Sequence, residues 1–272
     1  MKPRSFSEDG ETAGPHHHKK RFGQHFLHDK GLIRRIVQAV APKPGQNLIE
    51  IGPGEGAITL PLLRESQHLT VIELDRDLIP RIQAAAAGVG DLSVIQADVL
   101  TVDFSTLAQG GTLRLVGNLP YNISSPILFH CLDHAHAISD MHFMLQKEVV
   151  DRMASAPGSK VYGRLSVMLQ LVCRVEPLFH VPPGAFTPPP KVDSAVVRLT
   201  PLPPGERHDA DRELVARVVR HAFGQRRKTL SNALSGVATV EQIVAAGIDP
   251  KIRAEQLAPL QFVEIARRVQ AG

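Results

Sequence analysis

Residues 47–56 read Asn-Leu-Ile-Glu-Ile-Gly-Pro-Gly-Glu-Gly. The apolar run Asn47–Ile51 follows the breakers Pro44 and Gly45 and ends on a glycine cluster. That arrangement predicts a short buried strand turning sharply into a helix. Glycines at such a junction permit a tight turn and let backbone approach a ligand closely, because no Cβ intervenes.

Working outward, the strand–helix alternation repeats. A helix is expected from Asp29, as cap, to about Ala41, stopped by Pro42, Pro44 and Gly45. A second helix follows Gly56 and carries Ile58, Leu60, Leu62 and Leu63. Strands are expected at Leu69–Leu74, Leu92–Gln96, Leu113–Val116 and Met141–Leu145, with helices at Asp77–Ala87 and Pro126–Asp133. This order predicts an α/β fold: a Rossmann-like parallel sheet with helices on both faces. Val175–Val181 and Val192–Leu199 are β-rich and flank the proline cluster Pro182–Pro190. Pro201, Pro203, Pro204 and Gly205 then read as a linker. Only helical patterns follow, at about 211–222, 227–235, 240–246 and 259–270. The expected organisation is a flexible tail (1–18), a catalytic domain (19–204) and a small helical domain (205–272).

Two acidic residues extend the glycine motif. Glu73 ends the second strand about 20 residues on, the spacing at which a carboxylate accepts ribose hydroxyls. Asp98 ends the third strand, where it can accept from an adenine amino group. All lie at the carboxyl ends of successive strands, the edge where open α/β sheets bind ligands. The glycine run lacks the Gly-Lys-Ser/Thr ending of a phosphate-binding loop, which argues against nucleotide hydrolysis. Pro53 and Glu55 suit a pyrophosphate poorly. A phosphate-free nucleoside cofactor suits the turn, and S-adenosylmethionine is one.

Asn118-Leu119-Pro120-Tyr121 ends the fourth strand. An exocyclic amino group conjugated to a base is a poor nucleophile, because its lone pair is delocalised. Two acceptors on its N–H groups, the Asn118 side-chain oxygen and the Pro120 carbonyl, would localise that pair and aim it at a methyl donor. Tyr121 offers a face on which an extruded base can stack.

The chain has 272 residues, 31 Lys and Arg against 27 Asp and Glu, and a net charge of +4. Hydrophobic residues at 43% and charged residues at 21% exclude wholesale disorder. Two cysteines, Cys131 and Cys173, are too few for a disulfide scaffold or a cysteine zinc site and fit a reducing cytoplasm. No apolar run of membrane-spanning length occurs, and the first 20 residues hold no signal-peptide core. No membrane partner and no metal site are therefore expected, the tract His16–His18 being read as solvated. From Leu214 to Val240 there is no acidic residue, yet Arg217, Arg220, Arg226, Arg227 and Lys228 occur: a surface suited to phosphates. Lys19-Lys20-Arg21 is a second basic cluster.

On these motifs the chain resembles the small-subunit (16S) rRNA adenine N6-dimethyltransferases of the KsgA/RsmA type. The resemblance covers nearly everything after residue 18: KKRFGQHFL (19–27), EIGPGEGAITL (50–60), VIEL (71–74), ADVL (97–100), GNLPYNISSPIL (117–128), GRLSVMLQ (163–170), FTPPPKVDSAVVRL (186–199) and FGQRRKTLSNAL (223–234). It is similar also to large-subunit rRNA methylases. The resemblance implies a cytoplasmic, monomeric enzyme that places two methyls on each of two adjacent adenosines near the 3′ end of 16S rRNA, in the small subunit or its precursor. It implies S-adenosylmethionine contacts from His25 and Leu27, with His25 replacing the family's usual Asn. Gly52 would lie against the methionine part, Glu73 on the ribose and Asp98 on the adenine, with Asn118 bridging cofactor and base. Phe186 would form the second aromatic wall of the base pocket, with an ordinary core phenylalanine as the alternative. Lys191 and Ser194 either touch RNA backbone or belong to a solvated loop. Arg226, Arg227 and Lys228 would bind RNA. Two other functions stay open: a large-subunit or other amino-group methylase, and an assembly factor acting through RNA binding.

Overall fold

The computed structural model describes residues 25–225 and 227–272. A two-residue strand, β1 (Phe26–Leu27), leads into helix α1 (Lys30–Val40). Asp29 caps α1 by accepting from the Gly31 and Leu32 amides at 2.8 and 2.9 Å. Ala41 ends it in left-handed backbone, just before Pro42. Strands and helices then alternate: β2 (Leu48–Ile51), α2 (Thr59–Ser66), β3 (His68–Glu73), α3 (Ile79–Ala86), β4 (Asp91–Gln96), α4 (Phe104–Ala108), β5 (Leu113–Asn118), α5 (Ser124–Asp133) and β6 (Ile138–Gln146). Each strand and helix expected in this span is present, with ends displaced by a few residues. The additions are β1 and α4, the latter a five-residue helix capped by Asp103.

After β6 come α6 (Lys147–Met153), α7 (Arg164–Gln170), β7 (Cys173–Val181), β8 (Phe186–Thr187) and β9 (Ser194–Pro201). The last helices are α8 (Arg212–Gly224), α9 (Leu230–Ala233), α10 (Val240–Ala245) and α11 (Pro259–Ala271). The main sheet has the order β4-β3-β2-β5-β6-β9-β7. Its first five strands are parallel, as expected. The edge departs from that expectation, because β9 pairs antiparallel with both β6 and β7. The proline-rich stretch between β7 and β9 contains no crossover helix, so the chain can return only antiparallel. Within it β8 pairs with β1 in a separate two-stranded ladder.

Side-chain alternation divides the interior into two cores. Ile49, Leu115, Phe143 and Val197 pack on one face of the sheet. Leu48, Val116, Met144 and Val196 pack on the other, against Ile36, Val37, Leu62 and Phe186. The first core continues into Val215, Val218 and Phe262 of the C-terminal helices. Tyr162 Oη also donates to the Leu257 carbonyl at 2.9 Å, and Arg212 pairs with Asp133 at 2.9 Å. Both cysteines are buried and free. Burial raises both thiols, Cys173 to about 12, so they serve as apolar core residues. No helix among the described residues is long and apolar enough to cross a membrane.

Candidate active site

Strands β3 and β4 lie to one side of β2 and β5 to the other, so the chain reverses direction across the sheet beside β2. The loops leaving β2 and β5 diverge there and open a crevice at the carboxyl ends of the strands. A cleft of about 810 Å³ occupies this place. Its walls include His25, Leu27, Gly52, Glu73, Asp98, Asn118, Pro120 and Tyr121. Eight residues singled out in the sequence thus meet around one cavity.

Two glycines there stand where a side chain would collide. Gly54 has φ +56°, and a Cβ on it would stand 3.1 Å from the Phe26 ring. Gly117, in β5, is tighter still: a Cβ would lie 2.6 Å from the Ile51 carbonyl oxygen. Phe26 therefore roofs the glycine loop, while Gly117 lets β2 and β5 close up under it.

The floor is acidic. Glu73 accepts from the Asp75 amide at 2.7 Å. Burial raises its carboxyl; backbone hydrogen bonds from Asp75, Gly54 and Leu74 oppose the rise and the Asp75 charge adds to it. Glu50 is fully buried, and neither of its carboxyl oxygens has a hydrogen-bond partner. Burial pushes it up to about 8. The nearby Thr59 hydroxyl, itself without a bond of good geometry, offsets this only in part, and the Glu73 charge adds to it. Asp98 uses one oxygen to cap the turn Val99–Thr101, accepting from the Leu100 amide at 3.0 Å.

Asn118 stands at the end of β5. Its Nδ2 donates to the His25 carbonyl at 3.1 Å. A carbonyl can only accept, so the amide cannot be flipped, and Oδ1 is left as the free acceptor. The Pro120 carbonyl already accepts from the Ile123 amide at 3.2 Å, which leaves one lone pair for a second donor. Tyr121 Oη lies 2.6 Å from Ser194 Oγ. Burial raises the phenol and Ser194 lowers it, with a net rise, so Tyr121 is neutral. The His25 ring stacks beside Tyr121, with centroids 5.7 Å apart and planes at 27°. Its Nδ1 donates to the Pro188 carbonyl at 2.8 Å.

Other candidates lie elsewhere. Phe186 is only 2% exposed and packs in the second core, so of its two readings the structure places it in the interior. Ser194 is buried and occupied by Tyr121, so it is neither an RNA contact nor part of a solvated loop. Lys191 is exposed. Arg227 and Lys228 are exposed after α8, away from the cleft walls. Arg226, the cluster 19–21, the tract 16–18 and the tail lie outside the described residues. Several cleft residues escaped the sequence reading: half-exposed Leu74 and the rim cations Lys30, Arg34 and Arg64. Leu74 carried a signal, being an apolar residue directly after the strand-ending acid.

Residues 15–271 match the profile of a family described as ribosomal RNA adenine dimethylase. This chain belongs to that family. A ribosomal RNA small subunit methyltransferase A from Xanthomonas campestris pv. campestris (strain B100) is 65% identical over 248 residues, covering 91% of this chain and 95% of the relative. The protein of the same name from Xanthomonas oryzae pv. oryzae (strain PXO99A) is equally similar, with the same coverage. Among solved structures, a dimethyladenosine transferase from Plasmodium falciparum superposes with a TM-score of 0.75 at 25% identity, covering 89% of this chain and 96% of that one. The 23S rRNA methyltransferase ErmE gives 0.69 at 25% identity, covering 90% and 99%.

The dimethylase uses S-adenosylmethionine as methyl donor. The cleft fits that molecule. Its lining carries Glu73 and Asp98, acceptors that suit a ligand bearing hydroxyl and amino groups and no phosphates, and the buried, unpartnered Glu50 carboxyl lies in the same lining.

Proposed function

We infer that this dimethylase acts on the small-subunit (16S) rRNA, converting two adjacent adenosines near its 3′ end to N6,N6-dimethyladenosine in the cytoplasm, as a monomer. The 65% identity to relatives named for the small subunit, against 25% to ErmE, supports this choice over the large subunit.

The observation that carries the chemistry is the fixed orientation of Asn118. S-adenosylmethionine supplies an electrophilic methyl group. Asn118 Oδ1 and the Pro120 carbonyl accept the two N–H hydrogens of the target amine and hold its lone pair toward that methyl. The Asn118 amide needs no reorganisation for this, because His25 already holds its NH2 edge. Tyr121 stacks the extruded base. The amine becomes acidic once methylated and loses its proton to solvent, so no strong base is required. Glu73 holds the ribose, Asp98 the adenine, and Gly52 with Leu27 the methionine part. Residues 19–204 form the catalytic domain and 205–272 the RNA-binding one, with Arg226, Arg227 and Lys228 on phosphates.

The test supplies labelled S-adenosylmethionine to undermethylated small subunits, to large subunits and to naked rRNA in parallel. Label is expected in small-subunit rRNA. Label only in large-subunit RNA would overturn the reading, and label in none would favour an RNA-binding assembly factor.

A further inference from the structure

His25 does two separate things. Its backbone carbonyl holds Asn118, while its ring stacks beside Tyr121. The ring's Nδ1 donates to Pro188. Tyr121 in turn holds Ser194 through its hydroxyl. The stacked pair is thus fastened at two points, Pro188 in the proline-rich loop and Ser194 at the start of β9. The loop's own aromatic, Phe186, is buried and presents no ring to the cleft. Between them, His25 and Tyr121 supply the stacked ring surface beside Asn118.

We propose that the His25 side chain is a substrate-positioning residue: with Tyr121 it forms the aromatic wall that receives the target adenine. The proposal rests on the amino-group methylation assigned to this cleft. A tyrosine so held is a rigid platform. With the His25 ring stacked beside it and the hydroxyl engaged by Ser194, the Tyr121 ring is held in one orientation, which limits the poses from which the amino group of a stacked base can meet Asn118. The effect should be felt most in the second methylation, when the bulkier monomethylated amine must be held in the same place.

Three full-length variants separate ring from tether. His25→Phe keeps a ring and loses the donor to Pro188; His25→Asn keeps a donor and loses the ring; His25→Ala loses both. Each is first checked by thermal melting and by direct binding of S-adenosylmethionine. The measurements are the KM for undermethylated small subunits, kcat, and the ratio of mono- to dimethyladenosine by mass spectrometry. The KM for RNA is expected to rise about tenfold for His25→Ala, nearly as much for His25→Asn and least for His25→Phe. Monomethyladenosine should accumulate in the same order, while cofactor affinity stays within about twofold of wild type. Cofactor affinity falling in step with activity would overturn the proposal, as would RNA parameters unchanged in all three variants, or His25→Asn outperforming His25→Phe. Wild-type protein labelling no adenosine at all would instead overturn the underlying methylation reading, so the two failures are distinguishable.

Discussion

At the residue scale, Glu50 is where stability and function pull apart most clearly. A fully buried carboxyl without hydrogen bonds is neutral in the fold, and burial raises it from 4.5 to about 8. The folded state then binds this proton more tightly than the unfolded chain. Its contribution to stability is complete below about 4.5 and is lost as pH rises toward 8. At about 1.4 kcal/mol per pKa unit, the loss is of the order of several kcal/mol. The melting temperature without cofactor should fall between pH 6 and 8, and Glu50→Gln should flatten that slope. An equally steep slope in the variant would remove Glu50 as the cause. Asn118 makes the complementary case. Asn118→Ala deletes the acceptor and should lower methyl transfer by at least about 100-fold, with melting close to wild type. Asn118→Asp retains an acceptor but turns a carboxylate against the His25 carbonyl, and it should also fail. Turnover near wild type in either purified variant would refute the role. Gly117→Ala acts on the fold instead: a Cβ 2.6 Å from the Ile51 oxygen must force β2 and β5 apart, at about 2 kcal/mol or more in a urea melt.

At the element scale, the N-terminal strap owes its position to a cap. Asp29 holds two α1 amides, and β1 emerges just before it to place Phe26 over Gly54. Asp29→Ala should cost about 1 kcal/mol and weaken cofactor binding through the strap, measurable by denaturation and calorimetry. Unchanged values in both would show that the strap is held from elsewhere. The same elements show what the amino-acid order discloses. Strands β2, β3 and β5 are legible because buried parallel strands are apolar runs between breakers, and the acids and Asn118 mark their ends. β1 and β8 are not legible, since two residues carry no period and their pairing joins Phe26 to Thr187 across the whole domain. α7 hides because nearly all of RLSVMLQ is buried, leaving no polar face to reveal a helical period. Phe186 is ambiguous for a related reason: an aromatic before prolines looks the same whether it faces a base or a core. The antiparallel return of β9 and the register that ties Ser194 to Tyr121 were not legible, because both depend on tertiary packing.

At the scale of the whole molecule, a net charge of +4 conceals a separation. The cleft floor gathers Glu50, Glu73 and Asp98, while its rim carries Lys30, Arg34 and Arg64, and Arg227 and Lys228 stand exposed after α8. The acidic lining suits a phosphate-free cofactor; the exposed cations suit a phosphate chain. The two sets must report differently to salt. Cofactor binding that rests on buried Glu73 should vary little between about 50 and 300 mM salt, because buried groups are poorly screened. RNA binding should fall steeply, with a log–log slope set by the number of phosphates neutralised. Removing one contacting cation should reduce that slope by about one and weaken binding on any RNA sequence alike. Arg227→Ala and Lys228→Ala are therefore expected each to lower the slope for undermethylated small subunits by about one, additively in the double variant, and to leave cofactor affinity unchanged. An unchanged slope would move the RNA track off this turn and leave the basic rim of the cleft as the surface that meets the phosphates.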